Sequence, residues 1–168
     1  MPVEVVMTSQ HRYRVTTNWT GNLGTGTSDY RMYSRDHEIG GPTKSARILG
    51  SSDPHFRGDE ARYNPEETLV ASLSACHMLW LLHLCADAGI TVTDYLDEAE
   101  GSMAEDADGS GQFTQVILRP QMTILEGDRQ NEAHALHDKA HAMCFIARSV
   151  NFPVLHEARV HVASQMNA

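Results

Sequence analysis

Three thiols and a run of imidazoles are the side chains of this 168-residue chain best suited to covalent or metal chemistry. Cys76 stands beside His77 in NPEETLVASLSACHM (64–78). Cys85 follows nine residues later, and Cys144 lies 68 residues after Cys76 in KAHAMCFIARSVNFPV (139–154). On one helix Cys76 and Cys85 fall on opposite sides, about 13 Å apart along the axis, too far for a disulfide. Cys85 therefore reads as a core residue. Cys144 remains as a candidate partner for Cys76, although spacing alone cannot bring the two together. His134, His137, His141 and Cys144 recur at steps of three, four and three, one stripe of a helix. Nitrogen and sulfur donors of that kind suit zinc. No CxxC pair or HExxH is present, so no metal is expected.

Composition narrows the setting. The 22 acidic residues outnumber 13 basic ones for a net charge of -9, which argues against a nucleic-acid partner, where basic patches dominate. The most apolar run, 68–86, is interrupted by Ser72, Ser74, His77 and His83, so no membrane association is expected. The N-terminus MPVEVVMTSQHRYR has no basic segment leading into an apolar one, so a reducing, cytoplasmic location is expected. Cysteines there serve as thiols, ligands or redox groups rather than structural bridges.

The elements that must position these groups read as one domain, 1–168, with 1–10 as a loose extension. HRYRVTTNW (11–19) alternates as a strand. The glycines of GNLGTGT suit a hairpin turn, and TSDYRMYSRDHEI (27–39) alternates as its return strand. Residues 40–63 read as a long loop. Asn64, Pro65 and Glu67 form a helix start, and the apolar helix that follows ends near Gly89. Strands are expected at 90–95, 98–104 and 112–125, a second helix at 128–143, a helical turn after Cys144 and a last strand in VLHEARVHVA. The fold class is α+β with mostly antiparallel strands.

The paired segments NPEETLVASLSACHM and KAHAMCFIARSVNFPV, with WTGN at 19–22, resemble the OsmC/Ohr family of thiol-dependent organic hydroperoxide reductases. The resemblance implies an intertwined homodimer whose sheets wrap two central helices. It also implies a peroxidatic role for Cys76, a resolving role for Cys144, and a role for Glu66 as the carboxylate that holds a catalytic arginine. A thiolate attacking the peroxide becomes a sulfenic acid that a second thiol must capture before over-oxidation. No cofactor is implied beyond an external dithiol reductant, such as a lipoylated protein. Leu73, Met78, Met143 and Phe145 flank the cysteines and suit an apolar hydroperoxide pocket.

The family's arginine follows the first turn, where this chain has Leu23, Gly24 and Thr25. Arg35 and then Arg31 are the substitutes expected, with Arg57 and Arg148 as further candidates. Glu66 and Cys76 are ten residues apart, about 15 Å on a straight helix, too far for one guanidinium to touch both. A bend or break at Ser72–Ser74 is therefore predicted, unless the two groups belong to the sites of different subunits. Two other readings compete with the peroxidase: an OsmC-fold protein with weak or no peroxidase activity that binds a small apolar ligand, and a His/Cys metal-binding protein.

Overall fold

The structure, a computed structural model, describes residues 9–164. Of the extension read at 1–10, residues 1–8 lie outside the described residues. Internal contacts divide the single domain expected from its length into two compact units, Met1–Pro65 and Glu66–Ala168.

The N-terminal unit is an antiparallel sheet of β1 (Thr16–Trp19), β2 (His37–Gly40) and β3 (Ile48–Gly50) in that order. The return strand read over 27–39 shrinks to β2. Upstream of it, side chains capture backbone groups that a ladder would use. Asn22 Oδ1 accepts from the amides of Gly24 and Gly26, and Asp29 Oδ1 accepts from that of Arg31. Gly24 and Gly26, at φ 113° and 56°, turn the chain through conformations other residues avoid. Residues 40–63, read as a loop, carry β3 and a single 3-10 turn, Pro54–Phe56, capped by Asp53.

In the C-terminal unit α1 runs from Pro65 to Asp87. Proline suits the first helical position because its missing N–H has no partner there in any case. At the far end Gly89 adopts φ 70°. Its amide donates to Ala86 O, and that of Ile90 to Cys85 O at 2.8 Å, which satisfies the last carbonyls in a Schellman arrangement. The break predicted at Ser72–Ser74 does not occur. Ser72 Oγ donates to Leu69 O at 2.7 Å along the helix, and Ser74 Oγ reaches out to Asp97 Oδ2 at 2.6 Å. Ser72 shares a helical carbonyl without interrupting the helix, and Ser74 leaves the helical backbone alone.

Six strands follow, with α2 (Gln130–Met143) between the fourth and fifth: β4 (Val92–Asp97), β5 (Glu100–Glu105), β6 (Gly111–Leu118), β7 (Pro120–Ile124), β8 (Val154–His156) and β9 (Arg159–Val162). They form two sheets, β5-β6-β8 and β4-β7-β9. β4/β5, β6/β7 and β8/β9 are each one chain run bent in the middle, so the strand read over 112–125 is two, divided at Arg119. The bends hold a polar cluster. Asp97 Oδ1 accepts from the Arg119 amide at 2.7 Å, and the Arg119 side chain donates to Glu100 and Glu157. Pro120, paired with Asp97, has no amide to give the ladder.

α1 lies across both sheets. Leu73 packs with Val116, Leu118 and Val154 in one core, and Leu81, Leu84 and Cys85 pack with Met122, Ile124 and Val160 in the other. By length and composition this helix is also apolar enough to cross a bilayer. Its packing on two cores matches a core helix equally well, and the face carrying Ala71, Ala75 and Leu79 stays exposed.

Asp97 joins α1 to two of the three bends, so Asp97→Ala is expected to lower unfolding free energy by roughly 2 kcal/mol, the scale of hydrogen bonds to a charged acceptor. Ser74→Ala, which removes one bond, should cost about 1 kcal/mol. Urea denaturation measures both; an unchanged midpoint for Asp97→Ala would show that the two apolar cores hold the bends unaided.

Candidate functional site: a dithiol beside a histidine cluster

Cys76 and Cys144 come together in the C-terminal unit. All three cysteines are free thiols. Cys144 caps α2, where its extended backbone (ψ 111°) stops the helix. Its sulfur accepts from the Ala147 amide at 3.4 Å, and its carbonyl accepts from the Arg148 amide. The thiol of Cys144 is 1% exposed. Burial first, and then a hydrogen bond to Cys76, push its pKa up to about 11. Cys144 therefore keeps its proton at neutral pH, with the half-buried Cys76 as its neighbour. Cys85, fully buried in the core, has its thiol pushed up by burial and has no such neighbour described.

The remaining candidates are distributed differently. Glu66 lies in the first turn of α1. Because α1 is unbroken, the roughly 15 Å between Glu66 and Cys76 stands, and one guanidinium cannot serve both in the same chain. The role of Glu66 at its own chain's Cys76 falls. In the N-terminal unit the Arg35 guanidinium donates to the carbonyls of Tyr30 and Tyr33, both at 2.7 Å, and stacks on both rings. Arg31 is exposed in the same turn. Leu73 is fully buried in a core and is packing rather than pocket wall. Met78 and Met143 are half-buried, and Phe145, 64% exposed, sets its ring edge-on to Trp80 at 5.6 Å.

Beside the dithiol is a cluster of imidazoles. His77, next to Cys76, and His137 on α2 are both 0% exposed, and His77 Nε2 lies 3.0 Å from His137 Nδ1. His156, at the end of β8, has its ring 5.6 Å from that of His77 and 6.1 Å from that of His137. It reaches Asp138 at 3.2 Å. His141 stands 5.6 Å from His156, and His134 stands 6.1 Å from His137. The stripe read as His134, His137, His141 and Cys144 thus divides between two tasks: imidazoles packing against α1 and β8, and a thiol facing Cys76. Among the described residues no three His, Cys, Asp or Glu side chains are arranged to hold a metal ion. His156 and Asp97 went unnoticed in sequence. The only signal for the first was a histidine in a strand otherwise built for the core.

Burial is the main reason the His77 pKa falls to about 4 and that of His137 to about 3, with neighbouring imidazoles adding to it. An N–H···N bond needs one ring to accept, so the pair loses it when both rings are protonated. The unfolded chain takes up protons below about pH 6.5, whereas the folded chain resists them down to about pH 4. Stability is therefore full above pH 6.5 and falls as pH drops from there toward 4. Each imidazole accounts for up to about 1.4 kcal/mol per pH unit. Urea midpoints at pH 7.5 and pH 5 should differ clearly in the wild type and less in His137→Asn; a flat profile would count against a neutral buried pair.

Comparisons with known proteins agree with this architecture. The OsmC-like protein family matches residues 58–158. An OsmC-like protein of unknown function from Vibrio cholerae has a similar structure, with TM-score 0.79 and 32% identity, over 89% of this chain and 99% of that one. Two organic hydroperoxide resistance proteins share the fold at lower identity. The one from Legionella pneumophila has TM-score 0.63 and 21% identity, over 91% of this chain and 100% of its own. The one from Elizabethkingia anophelis has TM-score 0.64 and 14% identity, over 94% and 100%. No curated protein matches the chain. Both cysteine segments, the central helix and every strand of the bent sheet except β9 fall within residues 58–158, and the chain belongs to the OsmC-like protein family.

Proposed function

We propose that this protein is a two-cysteine thiol peroxidase that reduces organic hydroperoxides in peroxide defence. The observation that carries the reading is the pairing of Cys76 and Cys144, 68 residues apart in the chain yet neighbours as free thiols, close enough for each to act on the other. The Cys76 thiolate attacks the distal peroxide oxygen, the O–O bond breaks, and the alkoxide leaves as an alcohol after taking a proton. Cys76 is then a sulfenic acid. Cys144 attacks that sulfur, an S–S bond forms and water leaves. An external dithiol, of the kind a lipoylated protein carries, restores both thiols by exchange. The Legionella and Elizabethkingia proteins that share the fold, both organic hydroperoxide resistance proteins, support the substrate class.

Half-exposure of Cys76 beside full burial of Cys144 suits the division of labour, since the attacking sulfur must meet the peroxide and the resolving sulfur must not. Activation of Cys76 needs a donor or a cation. The Cys144 S–H is one donor at hand, and Arg35, then Arg31, is the cation that would stand in for the family's arginine. Met78, Met143 and Phe145 offer an apolar approach for an alkyl hydroperoxide, in a protein working in the cytoplasm without a cofactor.

With dithiothreitol or dihydrolipoamide as reductant, the wild type should consume cumene hydroperoxide. Cys76→Ser should lose at least 1,000-fold, about 4 kcal/mol in transition-state terms, and Cys144→Ser should stall with Cys76 trapped as sulfenic acid. Absence of wild-type turnover would discard the peroxidase. A Cys144→Ser enzyme that cycles normally would discard the second thiol. Iodoacetamide alkylation of Arg35→Gln and Arg31→Gln at neutral pH identifies the cation as the one whose loss slows Cys76 tenfold or more.

The exposed apolar face of α1, where Leu79 is 63% exposed, together with Phe145 after α2, 64% exposed, supports a homodimer as the working form. Sedimentation should give about twice the 18.6 kDa chain mass, and Leu79→Asp should shift it toward the single chain; a monomeric wild type would overturn the assembly.

A further inference from the structure

We propose that the buried His77–His137 hydrogen bond is the positioning element of the dithiol, holding the helix that carries Cys76 in register with the helix that ends at Cys144. The proposal rests on the two-cysteine reading above, but its own evidence is the packing between α1 and α2.

The buried positions of α2 are Ala133, His137 and Ala140, and Cys144 follows as its cap. These recur at four, three and four residues, so they form one stripe along the helix. Two of the three buried helical positions are alanine, whose methyl has little to interlock with. His137 is the long side chain of that stripe. It meets His77, the residue directly after Cys76, in a bond 3.0 Å long. Cys144 lies two turns further along α2, about 10 Å on, and meets Cys76. Two directed contacts, one imidazole pair and one thiol pair, therefore fix the same helix–helix contact at two points.

A disulfide tolerates only a narrow range of Cα separations, so sliding or rolling α2 without the imidazole bond lowers the effective concentration of Cys144 at Cys76. The rest of the cluster supports the pair. His156 backs both rings from β8 and is itself held by Asp138. His134 and His141 flank His137 on α2. The neutral state favoured by burial keeps an acceptor nitrogen available for the bond.

The test is the Cys76–Cys144 dithiol–disulfide equilibrium in glutathione redox buffers at pH 7, a measurement that needs no peroxide. Asparagine places its terminal amide where His137 Nδ1 lies, whereas glutamine places it near the position of Nε2. His137→Asn should therefore keep the equilibrium constant within threefold of wild type. His137→Gln should shift it at least tenfold toward the dithiol, about 30 mV for a two-electron couple, and His77→Gln, which reproduces its Nε2, should behave like wild type. Thermal midpoints recorded alongside separate this contrast from a stability loss common to both position-137 variants. Equal shifts in His137→Asn and His137→Gln, or no shift in either, overturn the proposal. A wild type inert to hydroperoxide that still shows the contrast removes the peroxidase and leaves the positioning role, and a normal peroxidase without the contrast does the reverse.

Discussion

The C-terminal unit depends on an unbroken helix lying across a sheet that bends. α1 must bury Leu73 against one half of the sheet and Leu81, Leu84 and Cys85 against the other. Three chain runs turn from one half to the other beneath it, at Asp97, at Arg119–Pro120 and at His156–Glu157. A bend interrupts a ladder and frees backbone groups that must find partners. Here the partners are charged: Asp97 takes the Arg119 amide and the Ser74 hydroxyl, while Arg119 spans Glu100 and Glu157. The polar line between the two apolar cores is thus a requirement of the bend.

The chemistry sits at this line. Cys76 and His77 occupy the part of α1 between its two apolar contacts, and His156 ends the strand that turns there. A thiol midway along a core helix would ordinarily be sealed, as Cys85 is two and a half turns later. At the change from one core to the next, packing is interrupted and a polar side chain costs less. The continuous helix that removes Glu66 from its chain's Cys76 also fixes where Cys76 stands relative to both halves of the sheet.

Much of this was legible in sequence, and the exceptions have physical causes. Asn64-Pro65 at one end and Gly89 at the other bounded α1 because caps are local signals. Its continuity through Ser72 and Ser74 was misread because a serine's choice between bending its helix and reaching outward depends on an acceptor, Asp97, 23 residues away from Ser74. The return strand at 27–39 alternated correctly, yet local side-chain bonds from Asp29 and Arg35 claimed its backbone first. The single strand at 112–125 hid its division, since Arg119-Pro120 is a short interruption in an apolar run. The thiol pair followed from resemblance. The His77–His137 pair followed from nothing in the sequence, because its two members are 60 residues apart and each alone looks like a packed histidine.

The three cysteines show how far residue type falls short of role. Cys85 and Cys144 are equally sealed, and burial raises both thiols. What separates them is a neighbour: Cys144 has a second sulfur beside it, whereas Cys85 is surrounded by core side chains. Cys76 differs from both in being half open, the condition for meeting a substrate. In the proposed reaction exposure selects the sulfur that attacks and proximity the sulfur that resolves. Both properties derive from one geometric fact, that α2 ends against the part of α1 where the two cores meet. In the proposed reaction any change that moves that end acts on the thiol pair without touching a thiol.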